Sequence, residues 1–216
     1  MSSPGSHATY HHADAPMTTF LFLCLIALAF FLGAIPFGLV IAKTFKGIDP
    51  RKAGSGNIGS TNVARLCGLP WGIFTLFCDI MKGLLPVLLA VCVLSSPSMQ
   101  STVALAAVIG HIKSPFLGFK GGKGVATTIG ALIPLAFWPL LCAVLCCVAV
   151  IAVTRYVSLG SMVMAASLIV FYAVFGRFDL EPLAIVLCVM IVWAHRANIG
   201  RLLRGEESKF LSKKKS

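Results

Sequence analysis

MTTFLFLCLIALAFFLGAIPFGLVIA, residues Met17–Ala42, carries no charge and exceeds the ~20 apolar residues that cross the hydrocarbon core of a bilayer. A chain in that core has no water to satisfy its amides, so the run reads as a membrane helix. Further apolar runs follow at Leu69–Leu94, Gln100–Gly110, Val125–Val153, Leu159–Phe175 and Pro182 to about His195. Asp79 and Lys82 interrupt the second, but at i and i+3 they share one helical face and can pair. Val125–Val153 is longer than one untilted span and contains Pro134 and Pro139, so it reads as two short helices meeting near Pro134. The expected fold is all-α, a polytopic integral membrane helical bundle of about seven transmembrane helices.

Composition agrees. Of the 216 residues 58% are hydrophobic and 12% charged, and the mean hydropathy of +0.93 lies far from that of a soluble domain. The net charge of +11 raises the question of nucleic acid, but no basic helix or aromatic-interleaved basic patch accompanies it, so nucleic acid is excluded as a partner. The eight cysteines lie mostly in apolar runs without CxxC or Cys/His spacing, which marks them as small apolar fillers and argues for no metal and no cofactor. Residues 1–16 are polar and lack the features of a signal peptide; they are expected to form a disordered tail, although His7, His11 and His12 are close enough to offer a metal site. A membrane domain is expected over 17–207 and a basic tail over 208–216. Lysine and arginine set orientation: the segments 43–68, 111–124 and 154–158 with the C-terminal tail hold 16 of the 18. The N-terminus is therefore expected outside and the C-terminus in the cytoplasm.

Four polar groups fall on that same side. GSGNIGSTNVAR (54–65) has the letters of a dinucleotide fingerprint without its strand, yet a Gly/Ser/Asn run entering a helix suits an anion, and Arg65 can clamp it. GHIKSPFLGFKGGKGVAT (110–127) places Lys120 and Lys123 among Gly121, Gly122 and Gly124; Leu117 stands where a P-loop requires its first glycine and Gly124 follows Lys123, which excludes ATP hydrolysis. His111 fits either a general base or an interfacial histidine. Ser158 and Ser161 can turn both hydroxyls to one ligand, with Arg155 nearby as a buried cation in want of a partner. His195, Asn198 and Arg201 follow at steps of three on one helical face.

Together these groups resemble the acyl-phosphate:glycerol-3-phosphate acyltransferase family of the PlsY type, carried by 54–65, 110–127 and HRANIGRLLRGEE (195–207), with DIMKG (79–83) and RYVSLGS (155–161) in support. The likeness runs from about residue 18 to 207. It implies a seven-helix enzyme of the bacterial inner membrane whose active site faces the cytoplasm. Such an enzyme transfers an acyl group from acyl phosphate to the 1-hydroxyl of glycerol 3-phosphate, the first step of phospholipid synthesis. Membrane lipid and the soluble enzyme that makes acyl phosphate would be its partners.

On this likeness His195, Lys123, Arg65 and Asn198 are the expected catalytic residues. Ser55, Asn57, Asn62, His111, Lys120, Gly121, Gly122, Gly124, Ser158 and Ser161 are expected to bind substrate. Motif position assigns Ser55, Arg65, His195 and Asn198 to glycerol 3-phosphate, and Lys123 or the interchangeable Lys120, with Ser158, Ser161 and the three glycines, to acyl phosphate. The hydroxyl proton goes to His195, to His111 or to a substrate phosphate, and motifs rich in cations but poor in carboxylates favour the phosphate. The competing readings are an anion or phosphate transporter, which would place its site near the midplane between repeats that this chain lacks, and a lipid-binding scaffold.

Overall fold

The computed structural model describes residues 15–210, so His7, His11 and His12 lie outside the described residues. These residues form α1 (Ala15–Ala34), α2 (Phe37–Lys46), α3 (Ser60–Cys67), α4 (Leu69–Val93), α5 (Pro97–Ile112), α6 (Val125–Leu132), α7 (Phe137–Thr154), α8 (Val157–Val174), α9 (Glu181–Ala194) and α10 (Arg196–Leu203), with no strand among them. The molecule is turned inside out relative to a soluble protein. Phe31, Phe77, Trp138 and Val189 are 56–65% exposed, while Asp79, Lys82, His111, His195 and Asn198 are buried.

The opening run is not one straight helix. Pro36 separates α1 from α2, because proline has no N–H to give and its ring disrupts the preceding turn. The carbonyls exposed at the break are taken by side chains from elsewhere: Ser114 Oγ donates to Ala34 O at 2.7 Å and Lys82 Nζ to Ile35 O at 2.7 Å. Lys82 also pairs with Asp79 at 2.8 Å, as the i, i+3 spacing predicts. One buried cation thus ties α4 to the kink.

Backbones pack closely through glycine. A Cβ at Gly33 would collide with Ala107 O and one at Gly110 with Phe30 O, which joins α1 to α5. Gly83 against Thr127 O and Gly130 against Ile80 O join α4 to α6 in the same way. Without a hydrophobic drive between helices in lipid, such close approach is what lets van der Waals contact hold them.

Among the described residues four helical spans are long and apolar enough to cross a membrane: Pro16–Lys46, Leu69–Val93, Phe137–Thr154 and Val157–Val174. A fifth counts if α9 and α10, bent by 59°, form one span. The expected seven therefore exceeds what helix length supports. The expected break near Pro134 is present, but α6, with 8 residues, is only about 12 Å long. Beyond it, Leu135 O accepts Arg177 Nη1 at 2.7 Å, so the turn after α6 meets the turn after α8.

Candidate active site

Two cavities meet where α3, the segment before α6, the start of α8 and α10 converge. The inner one, of about 530 Å3, falls within the roughly 300–1,000 Å3 of small-molecule sites.

The 47–59 loop is wound around Asn62. Its Oδ1 accepts Ser55 N–H at 2.9 Å, and its Nδ2 lies 2.8–3.2 Å from the carbonyls of Asn57, Pro50 and Ala53. Gly54, at φ +61, leaves the space in which Oδ1 sits. Asn62, expected to bind substrate, thus spends its amide on the loop. Asn57 does half the same, its Oδ1 accepting Gly59 N–H at 2.8 Å. The product of this winding is a helix start: α3 begins after Gly59 without a side-chain cap, and Gly59, Ser60 and Thr61 line the inner cavity. The first N–H groups of a helix lack intrahelical partners and draw anions. Arg65, one turn on, is exposed and lines the same cavity.

The second motif is built differently from its expected anion cradle. Gly121 N–H donates to Ile112 O at 3.0 Å and Gly122 N–H to His111 O at 3.1 Å, so neither amide is free for a phosphate. These glycines are needed for contact: a Cβ at Gly121 would strike His111 O and one at Gly122 would strike His111 Nε2. His111 is buried beneath Gly122, with Nδ1 3.8 Å from Asp79 Oδ1. That packing makes it a floor on which the next residue, Lys123, stands, and the ring also lines the inner cavity. Gly122→Ala is accordingly expected to lower kcat/KM at least ~10-fold by displacing Lys123, a cost of about 1.4 kcal/mol or more; initial-rate kinetics would check it. Gly124, at φ +84, then starts α6, whose first residues face the inner cavity. Lys120 is exposed and lines the outer cavity only.

Lys123 lines both cavities. Burial, with Arg201 and Arg65 nearby, pushes its pKa down to about 8 against the opposing pull of Glu207. Ser158 and Ser161 both line the inner cavity, as their spacing predicts; Ser161 Oγ donates to Val157 O at 2.9 Å. Arg155, expected to be buried, is exposed at the left-handed turn between α7 and α8.

His195, Asn198 and Arg201 share the inner cavity, again as their spacing predicts. His195 Nδ1 lies 2.8 Å from Ile191 O; donation there leaves Nε2 as the acceptor.

One residue escaped sequence reasoning. Glu207 Oε1 accepts Ser158 Oγ at 2.8 Å and Asn198 Nδ2 at 2.6 Å, while Oε2 accepts Arg201 Nε at 2.7 Å. Burial works against its charge, but these three donors outweigh it and hold the carboxyl below its usual range. The chain then continues past Phe210, whose N–H donates to Arg155 O at 2.7 Å and which also lines the inner cavity. Asp79, His111 and Ser208 add to the polar lining, and one wall is apolar, with Leu69, Ile73 and Leu76 on α4 and Cys147, Val148 and Ile151 on α7.

The sequence profile of the family described as Glycerol-3-phosphate acyltransferase matches residues 23–205. A protein named glycerol-3-phosphate acyltransferase from Desulfovibrio desulfuricans is 52% identical over 189 residues, 88% of this chain and 85% of the relative. One of the same name from Nitratidesulfovibrio vulgaris is 50% identical over 191 residues; the match takes in 88% of this chain but spans 58% of that longer relative. The glycerol 3-phosphate form of PlsY (YgiH), an integral membrane glycerol 3-phosphate acyltransferase, superposes with a TM-score of 0.84 at 41% identity, over 88% of this chain and 96% of that one.

Proposed function

The chain belongs to the glycerol-3-phosphate acyltransferase family, and from that premise we propose that it transfers an acyl group from acyl phosphate to the 1-hydroxyl of glycerol 3-phosphate. The products are lysophosphatidic acid and inorganic phosphate. The observation that carries this reading is the meeting of Lys123, Arg65 and Arg201 with two helix N-termini in one cavity whose far wall is apolar. Acyl phosphate is a mixed anhydride with a good leaving group, so alignment and charge stabilisation matter more than a covalent nucleophile. The hydroxyl oxygen attacks the acyl carbon, the carbon–oxygen bond to phosphate breaks, and the hydroxyl proton passes to a phosphate oxygen.

In this scheme Arg65, Ser55, His195 and Asn198 hold glycerol 3-phosphate, and the bare Nε2 of His195 accepts from the attacking hydroxyl to orient it. A cavity rich in cations, whose Glu207 carboxylate is committed to Ser158, Asn198 and Arg201, favours the phosphate as proton acceptor. Lys123, Ser158, Ser161 and the start of α6 hold the acyl phosphate. Its chain lies between α4 and α7, open to lipid. The catalytic unit is 17–207, with the first residues of the 208–216 tail closing the cavity.

Sidedness follows from the cation count: the site faces the cytoplasm of the bacterial inner membrane, with the N-terminus outside. Seven crossings are favoured over five by the Arg177–Leu135 bond, since it supports α6 reaching the outer end despite its length. The acyl donor is supplied by a soluble acyl-phosphate-forming enzyme.

Donor choice tests the reading. Purified protein given labelled glycerol 3-phosphate should form lysophosphatidic acid with acyl phosphate and not with acyl-CoA; the reverse preference would refute the donor assignment. The pH profile gives a second test. The ammonium of Lys123 is the active form, so kcat/KM should fall as pH rises through about 8, whereas an ordinary lysine keeps its charge to about 10.4. Lys123→Arg should remove that alkaline limb.

A further inference from the structure

The outer cavity, of about 670 Å3, adjoins the inner one and shares Lys123, Asn198 and Arg201 with it. Lys113, Lys120 and Arg196 complete its cationic lining, and no aspartate or glutamate contributes to it. The chain has only 7 acidic residues, and five of them are paired elsewhere. Asp49 pairs with Arg51, Asp79 with Lys82, Asp179 with Arg177, Glu206 with Arg204 and Glu207 with Arg201. Among the described residues no carboxylate pairs with Lys113, Lys120 or Arg196.

Two of these three cations are also fixed in place. Lys113 Nζ lies 4.7 Å and the Arg196 guanidinium 4.3 Å from the Trp193 ring centroid, and Arg196 Nη1 donates to Trp193 O at 3.2 Å. Attraction to the ring face restrains side chains that would otherwise sample many rotamers. Gathering like charges on one indole without a counter-ion is unfavourable, and an anion of high charge would relieve it.

We propose that Lys113 and Arg196, held on Trp193, form with Lys120 an outer phosphate site at the water-facing mouth of the cavity. Its ligand is a phosphate-bearing anion. One source is the soluble phosphate monoester on its way to the inner site, a form of the proposal that rests on the acyltransferase reading; the other is the phosphate of an anionic lipid. The chemistry is the same for both: charge-assisted hydrogen bonds from an ammonium and a guanidinium to phosphate oxygens.

Tryptophan fluorescence of the full chain in a neutral detergent provides the test, with Trp193→Phe identifying the signal from that ring. One arm adds inorganic phosphate at ionic strength held constant with chloride; the other adds phosphatidylglycerol to the detergent. A saturable response to inorganic phosphate is expected. It should weaken at least tenfold in Lys113→Gln/Arg196→Gln and persist in the charge-keeping Lys113→Arg/Arg196→Lys, whose folding can be compared by circular dichroism. The KM for glycerol 3-phosphate should then rise about tenfold in the glutamine variant with little change in kcat. A response confined to phosphatidylglycerol, with the same dependence on charge, would assign the site to a lipid phosphate. No saturable response in either arm, or one unaffected by the glutamine pair, would overturn the proposal. Wild-type protein that formed no lysophosphatidic acid would count against the acyltransferase reading and leave the fluorescence result standing.

Discussion

Lys123→Ala should lower kcat by about 10²–10³-fold or more, the usual loss when one preorganised donor is removed from a developing anion. Lys123 lines both cavities, between Arg65, Arg201 and Glu207, and among the described residues no carboxylate is paired to it. Its charge is therefore available to the phosphate leaving group, whose negative charge grows as the acyl–oxygen bond breaks. The KM for glycerol 3-phosphate should move less than kcat, since the interaction strengthens in the transition state. Steady-state kinetics with both substrates varied would read this out. A fully active alanine variant would show that the leaving group lies elsewhere.

The second large effect is expected at Glu207. Its carboxylate joins Ser158 on α8 to Asn198 and Arg201 on α10, and no other described carboxylate joins those helices. Hydrogen bonds to a charged group contribute about 1.5–3 kcal/mol each, and bonds on one carboxylate do not simply add. An overall loss on the order of 3 kcal/mol is therefore expected for Glu207→Ala, or about 10²-fold in kcat/KM, together with a lower Tm. Glu207→Gln keeps an acceptor for Ser158 or Asn198 and loses the ion pair with Arg201, so its effect should be smaller. Thermal unfolding measured beside kinetics separates the two contributions. A Glu207→Ala enzyme with normal Tm and normal turnover would remove the residue from the account.

What the sequence made legible was whatever depends on local period. Apolar runs of spanning length, the break at Pro134, the Asp79–Lys82 pair and the shared face of His195, Asn198 and Arg201 follow from helical geometry, and the structure has each of them. Ser158 and Ser161 were placed by the same reasoning. Pro36 carried a signal of the same kind inside Met17–Ala42, yet the run read as one helix because hydropathy outweighed a single residue.

The remainder depends on contacts distant in sequence or on how a group's bonds are spent. Glu207 reaches Ser158 across 49 positions, and nothing local says that the acid closing HRANIGRLLRGEE folds back. Gly121 and Gly122 read as donors to phosphate because glycine permits such approach. Only the packing against His111 reveals that their amides are committed to α5. Asn62 has the composition of a ligand and the bonding of a loop staple. How short the first of the two helices in Val125–Val153 would be was not legible either: α6 has 8 residues, a limit set by the Gly124 start and the Pro134 turn rather than by hydropathy.

The most direct test of the central claim joins both products in one experiment. Protein reconstituted in lipid vesicles, given acyl phosphate and labelled glycerol 3-phosphate, should release lysophosphatidic acid and inorganic phosphate in equal amounts, with both falling about 10²-fold or more in Lys123→Ala. Wild-type protein that formed no lysophosphatidic acid under these conditions, while carrying phosphate into the vesicles, would contradict it.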